Sequence, residues 1–307
     1  MRDLRIVFMG TPDFAVATLD ALVKAKLNVV GVVTSPDKPA GRGQKIQQSA
    51  VKKYALDHNL TILQPGNLKS EEFLDQLKNL NGNLQIVVAF RMLPKAVWQL
   101  PEYGTFNLHA SLLPNYRGAA PINWAIINGE TQTGVTTFFL KHDIDTGDIL
   151  FSEPVNIAPD ETAGHVHDRL MKIGAELIVK TVQAIESGDY REIPQDSIET
   201  SELQHAPKFF KENCQIDWQK PVKKVYDLIR GLSPYPTAFT KIQNKTLKIF
   251  KADKEDAIIG FAAGQYQTDG KTFLKFACPD GLISVRDVQL EGKKRMKVDE
   301  FLRGVRL

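Results

Sequence analysis

The sequence predicts an α/β chain: a Rossmann-like, mainly parallel sheet with helices on both faces, followed by a small β-barrel domain of OB-like build. Three observations predict it. Short apolar runs rich in β-branched residues alternate with longer amphipathic runs up to residue 186. A polar stretch then occupies residues 187–207, and several short strand patterns crowd into residues 208–307. Strand–helix alternation favours a parallel sheet because each crossover helix must cover one face of the strands it joins.

The elements follow in order. Leu4–Met9, Asn28–Thr34, Leu60–Leu63, Gln85–Phe90 and Thr105–Leu108 are short and mostly β-branched or aromatic, so they read as strands. Between them, Asp13–Lys26, Gln47–His58 and Ser70–Asn79 carry apolar residues at helical spacing. Gly134–Lys141 and Asp148–Asn156 are separated only by a loop, which predicts an antiparallel pair at one edge. Glu161–Glu186 reads as a long helix, with Asp160 as its N-cap and Gly188 just past its end. The run SGDYREIPQDSIETSELQHAP, Ser187–Pro207, reads as a linker between a domain at 1–186 and another at 208–307. In the latter, a helix at Pro221–Gly231 precedes strands at Ala238–Ile242, Thr246–Ala252, Thr272–Ala277 and Leu282–Val288, and a last helix at Val298–Arg303. Short strands at this density suggest a small barrel, a module that often binds nucleic acid, although a fold alone assigns no role.

Composition narrows the class. A hydrophobic content of 43% supports ordinary packed cores. No apolar run approaches the roughly 20 residues that span a bilayer, and MRDLRIVFMG enters a strand pattern without a signal-peptide core. Cys214 and Cys278 lie far apart without a CxxC partner, so neither a disulfide framework nor a zinc site is expected, and a reducing cytoplasm is the simplest location. The net charge of +3 conceals a split. Residues 1–207 hold 19 Lys and Arg against 24 Asp and Glu, and residues 208–307 hold 20 against 12. The basic part suits a polyanionic partner; on charge alone it equally suits a lysine-rich solvated surface.

The chemistry centres on two segments, TFNLHASLLPNYRG at 105–118 and HDIDTGD at 142–148. Parallel α/β sheets place ligands at the carboxyl ends of their strands. Asn107 and His109 stand there, two apart on an extended segment, so both side chains take the same side. Asp145 follows the next strand in a loop that can reach the same edge. An amide, an imidazole and a carboxylate suit acyl transfer: the amide stabilises an oxyanion, the imidazole moves protons, and the carboxylate orients the imidazole. Each residue also has an ordinary structural use, Asn107 on loop backbone and Asp-Thr-Gly-Asp as a turn. No Ser, Cys or Lys stands out as a nucleophile, so direct transfer between two bound substrates is expected.

Metal and dinucleotide sites are not indicated. MGTPDFA lacks the GxGxxG of dinucleotide turns. DIDTGD opens like a calcium loop, but Pro154 falls where the twelfth-position Glu belongs. His165 and His167, two apart on a helix, diverge.

The runs NLHASLLPNYRGAAPI and DIDTGD closely resemble the 10-formyltetrahydrofolate-dependent formyltransferase family. IVFMGTPDFA, SPDKPAGRGQK at Ser35–Lys45, LIRGLSPYPTAF at Leu228–Phe239 and QLEGKKRM extend the resemblance over nearly the whole chain. Two segments depart from the family pattern. AFRMLP puts Arg91 and Met92 where relatives carry a Gly-containing AYGxxLP, and SPYPTA replaces the commoner SPYPGA.

The resemblance implies that Asn107, His109 and Asp145 are catalytic and that 10-formyltetrahydrofolate is the co-substrate. Phe90, Arg91 and Leu93, with Ser111, Leu112, Leu113, Pro114, Tyr116, Arg117 and Gly118, would line its pocket. The acceptor implied is the α-amino group of methionine on initiator tRNA. Lys38, Arg42 and Lys45 of a basic Pro/Gly-rich loop would reach the acceptor stem, and Lys293, Lys294, Arg295 and Lys297 would hold phosphates. A single copy of the chain could do this. Competing readings are a formyltransferase for a small amine, a formyltetrahydrofolate hydrolase, or a non-catalytic RNA-binding protein. The first two would not need the basic loop and basic C-terminal domain together, and the last has no need of the trio.

Overall fold

The computed structural model describes residues 1–40, 45–199, 202–257 and 260–307. They fall into two compact units. Unit 1 holds Met1–Arg117, Gly134–Val155 and Asp168–Gln204; unit 2 holds Gly118–Thr133, Asn156–His167 and His205–Leu307.

The chain begins β1 (Ile6–Gly10), α1 (Asp13–Lys24), β2 (Val29–Val33), β3 (Lys38–Ala40), β4 (Lys45–Gln47), α2 (Ala50–Asp57), β5 (Ile62–Leu63), α3 (Glu71–Asn79), β6 (Leu84–Val88), α4 (Lys95–Trp98) and β7 (Thr105–His109). It continues through β8 (Arg117–Gly118), α5 (Pro121–Asn128), β9 (Gln132–Phe139), β10 (Ile149–Asn156), α6 (Ala163–Ser187) and β11 (His205–Ala206). The rest is α7 (Val222–Gly231), β12 (Ala238–Ile242), β13 (Lys245–Asp256), β14 (Tyr266–Thr268), β15 (Leu274–Cys278), β16 (Gly281–Leu290), β17 (Met296–Lys297) and α8 (Val298–Gly304).

Seven strands form the main sheet in the order β10-β9-β7-β6-β1-β2-β5. β1 runs parallel to β2 and β6, β2 to β5, and β6 to β7, whereas β7 and β9 are antiparallel. A mainly parallel sheet with a reversed edge is what the sequence predicts. IVFMG and LQIVV are buried at all five positions, as continuous apolar strands are when both faces are covered. Phe14, Ala15, Leu19 and Leu22 make the buried stripe of α1. Val7, Met9, Val33, Phe73, Leu77, Val87 and Val97 form a core of this unit.

Some boundaries differ from expectation, each for a local reason. α2 starts at Ala50 rather than Gln47, because Lys45–Gln47 pair with β3 and the Ser49 hydroxyl then caps the helix, accepting from Lys52 N at 3.0 Å. At the start of α6 the Thr162 hydroxyl accepts from His165 N at 3.4 Å, so Thr162 takes the capping place expected of Asp160. α5 lies outside the predicted elements, although Pro121 opens it and Gly129, at φ 84°, closes it. Within the segment expected to be a linker, Ile193 and Ile149 exchange backbone hydrogen bonds at 2.9 Å each, and Gln195–Ser197 form a 3₁₀ turn.

In unit 2 the antiparallel sheet runs β12-β13-β16-β15-β14, with β17 added to β16, which makes the OB-like domain. Its core stacks Trp218 on Phe276 at 4.5 Å, and the Trp218 indole donates to Thr240 Oγ1 at 3.0 Å. α7 packs on α5 at Gly231, where an added Cβ would lie 2.6 Å from Ile127 Cγ1.

Candidate active site

β7 delivers two side chains to one side of the sheet. Phe106 and Leu108 point to the other side, where Leu108 meets Gly174 of α6 so closely that a Cβ there would lie 2.8 Å away. Asn107 is half-buried, and among the described residues its carboxamide makes no hydrogen bond. Among the described residues, therefore, its side chain is not spent on loop backbone.

His109 is 6% exposed and held from both ring nitrogens. Nε2 lies 2.8 Å from the Tyr116 carbonyl, and Nδ1 lies 3.8 Å from Asp145 Oδ2. A carbonyl only accepts, so Nε2 carries a proton and donates it, and Nδ1 is the nitrogen left to exchange protons beside the carboxylate. Asp145 sits at φ 55°, a left-handed conformation uncommon for a residue with a side chain. Its loop turns tightly: Gly147 lies so close to Phe139 that a Cβ would stand 1.5 Å from the Phe139 carbonyl oxygen. Lys141 closes the loop on Asp148 at 2.7 Å.

The SLLPNYRG segment is an internally bonded loop. The Ser111 hydroxyl donates to the Asn115 carbonyl at 2.7 Å, Thr136 donates to the Ser111 carbonyl at 2.7 Å, and Leu113 N donates to Thr136 Oγ1 at 3.2 Å. Leu113, Phe138 and Ile149 form an apolar cluster beneath it, and a cis peptide joins Leu113 to Pro114. Tyr116, at φ 61°, directs its carbonyl to His109. The Arg117 guanidinium reaches Gln195 at 2.7 and 3.0 Å. Leu112 is half-buried, and Gly118, at φ 125°, belongs to unit 2.

After β6 the chain carries Phe90, Arg91 and Leu93. Leu93 joins the core, while Arg91 lies over the Phe90 ring at 5.5 Å and donates to the carbonyls of Pro65 and Gly66. Arg91 thus spends its donors on the neighbouring loop.

Of the basic residues singled out, Lys38 is exposed on β3, Lys45 enters β4, and Arg42 lies outside the described residues. The stem of this hairpin is tied down at Asp37, which accepts from Lys52 at 2.6 Å and Gln64 at 2.9 Å; those two partners hold its carboxyl below the usual range. In unit 2, Lys293 and Lys294 are exposed and make no ion pair among the described residues. Arg295 is engaged: it pairs with Asp287 at 2.6 Å and lies over Phe250 at 4.3 Å, and Lys297 approaches the same carboxylate at 4.0 Å. Gln195, buried in the segment expected to be a linker, donates to the carbonyls of Asp145 and Gly147. No sequence signal marks it. Among the described residues no group of three or more His, Cys, Asp or Glu could hold a metal ion, and no helix there is long and apolar enough to cross a membrane.

A carboxamide with no partner among the described residues stands two positions along β7 from an imidazole that faces a carboxylate at 3.8 Å, an arrangement that could serve a carbonyl carbon under attack by an amine. Comparison with known proteins agrees. Residues 4–182 match the family described as Formyl transferase, and residues 208–306 match Formyl transferase, C-terminal domain. The methionyl-tRNA formyltransferase of Bacteroides fragilis is 57% identical, with 99% of this chain and 96% of that protein aligned. That of Flavobacterium johnsoniae is 54% identical, over 99% and 97%. In fold the chain is similar to WlaRD, a sugar 3N-formyl transferase solved in the presence of dTDP and 5-N-formyl-THF, with a TM-score of 0.69 at 22% identity, covering 96% of this chain and all of that one. It is similar too to HypX from Aquifex aeolicus in complex with tetrahydrofolic acid, with a TM-score of 0.68 at 19% identity, covering 99% of this chain and 48% of that one.

Proposed function

This chain belongs to the family of methionyl-tRNA formyltransferases, and we infer that it moves the formyl group of 10-formyltetrahydrofolate onto the α-amino group of methionine carried by initiator tRNA. One observation carries the acceptor: the alignment with the Bacteroides fragilis enzyme takes in 99% of this chain, basic C-terminal part included. The geometry supports the residue roles proposed here. Asn107 donates from its carboxamide, unpartnered among the described residues, to the formyl oxygen as negative charge grows there, and His109, once Nδ1 has taken up the amine proton, supports the same oxygen with that N–H. Asp145 orients His109 and assists removal of the amine proton. As the tetrahedral centre collapses, the carbon–N10 bond breaks and tetrahydrofolate leaves with a proton in place of the formyl group. No covalent enzyme intermediate is needed.

The loops at 88–94 and 111–117 are proposed to line the folate site in the segment 1–186. Lys38, Arg42 and Lys45 are proposed to meet the acceptor stem, and Lys293, Lys294, Arg295 and Lys297 of the segment 208–307 to meet phosphates. Two free, buried thiols, Cys214 and Cys278, suit a reducing cytoplasm, and one copy of the chain supplies both the chemistry and the basic surface. The purified chain should formylate charged initiator Met-tRNA from 10-formyltetrahydrofolate and leave elongator Met-tRNA and free amines essentially untouched. Equal formylation of a small amine would overturn the tRNA reading and keep the formyl transfer.

A further inference from the structure

The geometry points to Gln195 as a positioning residue that locks together the two loops flanking His109. This rests on the catalytic reading of His109 and Asp145. Gln195 is 3% exposed and opens a single 3₁₀ turn after Pro194. Its amide nitrogen donates to the Asp145 carbonyl at 2.9 Å and to the Gly147 carbonyl at 2.7 Å. Its amide oxygen accepts from Arg117 Nε at 3.0 Å and Nη2 at 2.7 Å. A carboxamide has two N–H donors and two acceptor lone pairs, so all four places are filled.

The two ends of this bridge act on the two nitrogens of His109. Arg117 directly follows Tyr116, whose carbonyl holds Nε2 at 2.8 Å. Asp145 presents Oδ2 to Nδ1 at 3.8 Å, from a backbone at φ 55°. Gln195 therefore ties the loop that fixes one nitrogen to the loop that faces the other.

The anchor itself is firm. Ile193 exchanges two backbone hydrogen bonds with Ile149 at 2.9 Å each, and Ile198 packs on the cluster of Leu113, Phe138 and Ile149. A residue 50 positions beyond Asp145 and 78 beyond Arg117 thus sets how those loops meet the imidazole. Neither Glu nor Leu can replace it. Glu turns an acceptor toward two carbonyl oxygens, and Leu leaves the guanidinium and both carbonyls unsatisfied in a buried place.

The test uses the full chain with Gln195→Ala, Gln195→Glu, Gln195→Asn, Arg117→Met and the Gln195→Ala/Arg117→Met pair, measuring kcat, KM for each substrate, the pH–rate profile and Tm. Gln195→Ala should lower kcat on the order of tenfold to a hundredfold, the cost of a displacement of about an ångström at a catalytic group. KM for the folate should stay within about twofold, and the pH–rate profile should shift because the imidazole–carboxylate separation changes. Gln195→Glu should be equally impaired. The pair should be no worse than the poorer single variant, since both residues serve one bridge. An unchanged kcat and pH profile in Gln195→Ala, or additive losses in the pair, would overturn the proposal. So would a loss of activity that follows the loss of Tm alone with the profile unmoved. If Gln195→Ala does not fold, Gln195→Asn gives the same readouts from a smaller change. Asp145→Asn separates the levels: full activity there removes the catalytic reading itself, whereas its inactivity beside a normal Gln195→Ala defeats only the role given to Gln195.

Discussion

The role proposed for His109 rests on an asymmetry between its nitrogens. Nε2 gives its proton to a backbone carbonyl at 2.8 Å, which fixes the ring and leaves Nδ1 beside Asp145. Asn107 is proposed to contribute differently, through a carboxamide that nothing among the described residues satisfies. Asn107→Ala and His109→Ala should each lower kcat by about 10²–10³, the usual effect of removing an oxyanion donor. Asn107→Ala should leave Tm unchanged, because it deletes no hydrogen bond among the described residues. A variant of either residue with near-native turnover would remove it from the mechanism. Much of this trio was legible in the sequence, since residues two apart at a strand end share a side and an acidic turn follows the next strand. The Tyr116 carbonyl and Gln195 were not legible: a backbone acceptor leaves no mark in residue types, and Gln195 meets its partners only through folding of a polar stretch without periodicity.

At the level of elements, the site depends on how tightly β9 turns into β10. Gly147 is the critical position, because a Cβ would lie 1.5 Å from the Phe139 carbonyl oxygen, and backbone cannot step aside as a flexible side chain can. Gly147→Ala should cost about 1–3 kcal/mol or more in urea unfolding, as overpacking does, and should lower kcat by displacing the Asp145 loop. Native stability with native turnover would show that the loop tolerates the shift. Buried parallel strands such as IVFMG and LQIVV were readable as unbroken apolar runs. Element starts were less so, because Thr162 outcompeted Asp160 as a cap and β3–β4 pairing claimed the residues before Ser49. Both outcomes depend on a few local hydrogen bonds that residue spacing does not resolve.

For the whole molecule, the charge split between 19 basic against 24 acidic residues in 1–207 and 20 against 12 in 208–307 is the feature that speaks to a nucleic-acid partner. Folding sorts those charges. Lys293 and Lys294 stay exposed without an ion pair among the described residues, whereas Arg295 is drawn onto Asp287. Lys293→Ala/Lys294→Ala should therefore weaken tRNA binding without changing folate binding, and should lower the salt-dependence slope by about one for each phosphate left without its lysine. An unaltered slope would place the tRNA elsewhere. The most direct measurement of the central claim is single-turnover release of tetrahydrofolate from 10-formyltetrahydrofolate with charged initiator Met-tRNA present or absent. Release should require the charged tRNA and match the formyl-methionyl-tRNA formed, mole for mole; equal release without it would make the chain a hydrolase and contradict the account.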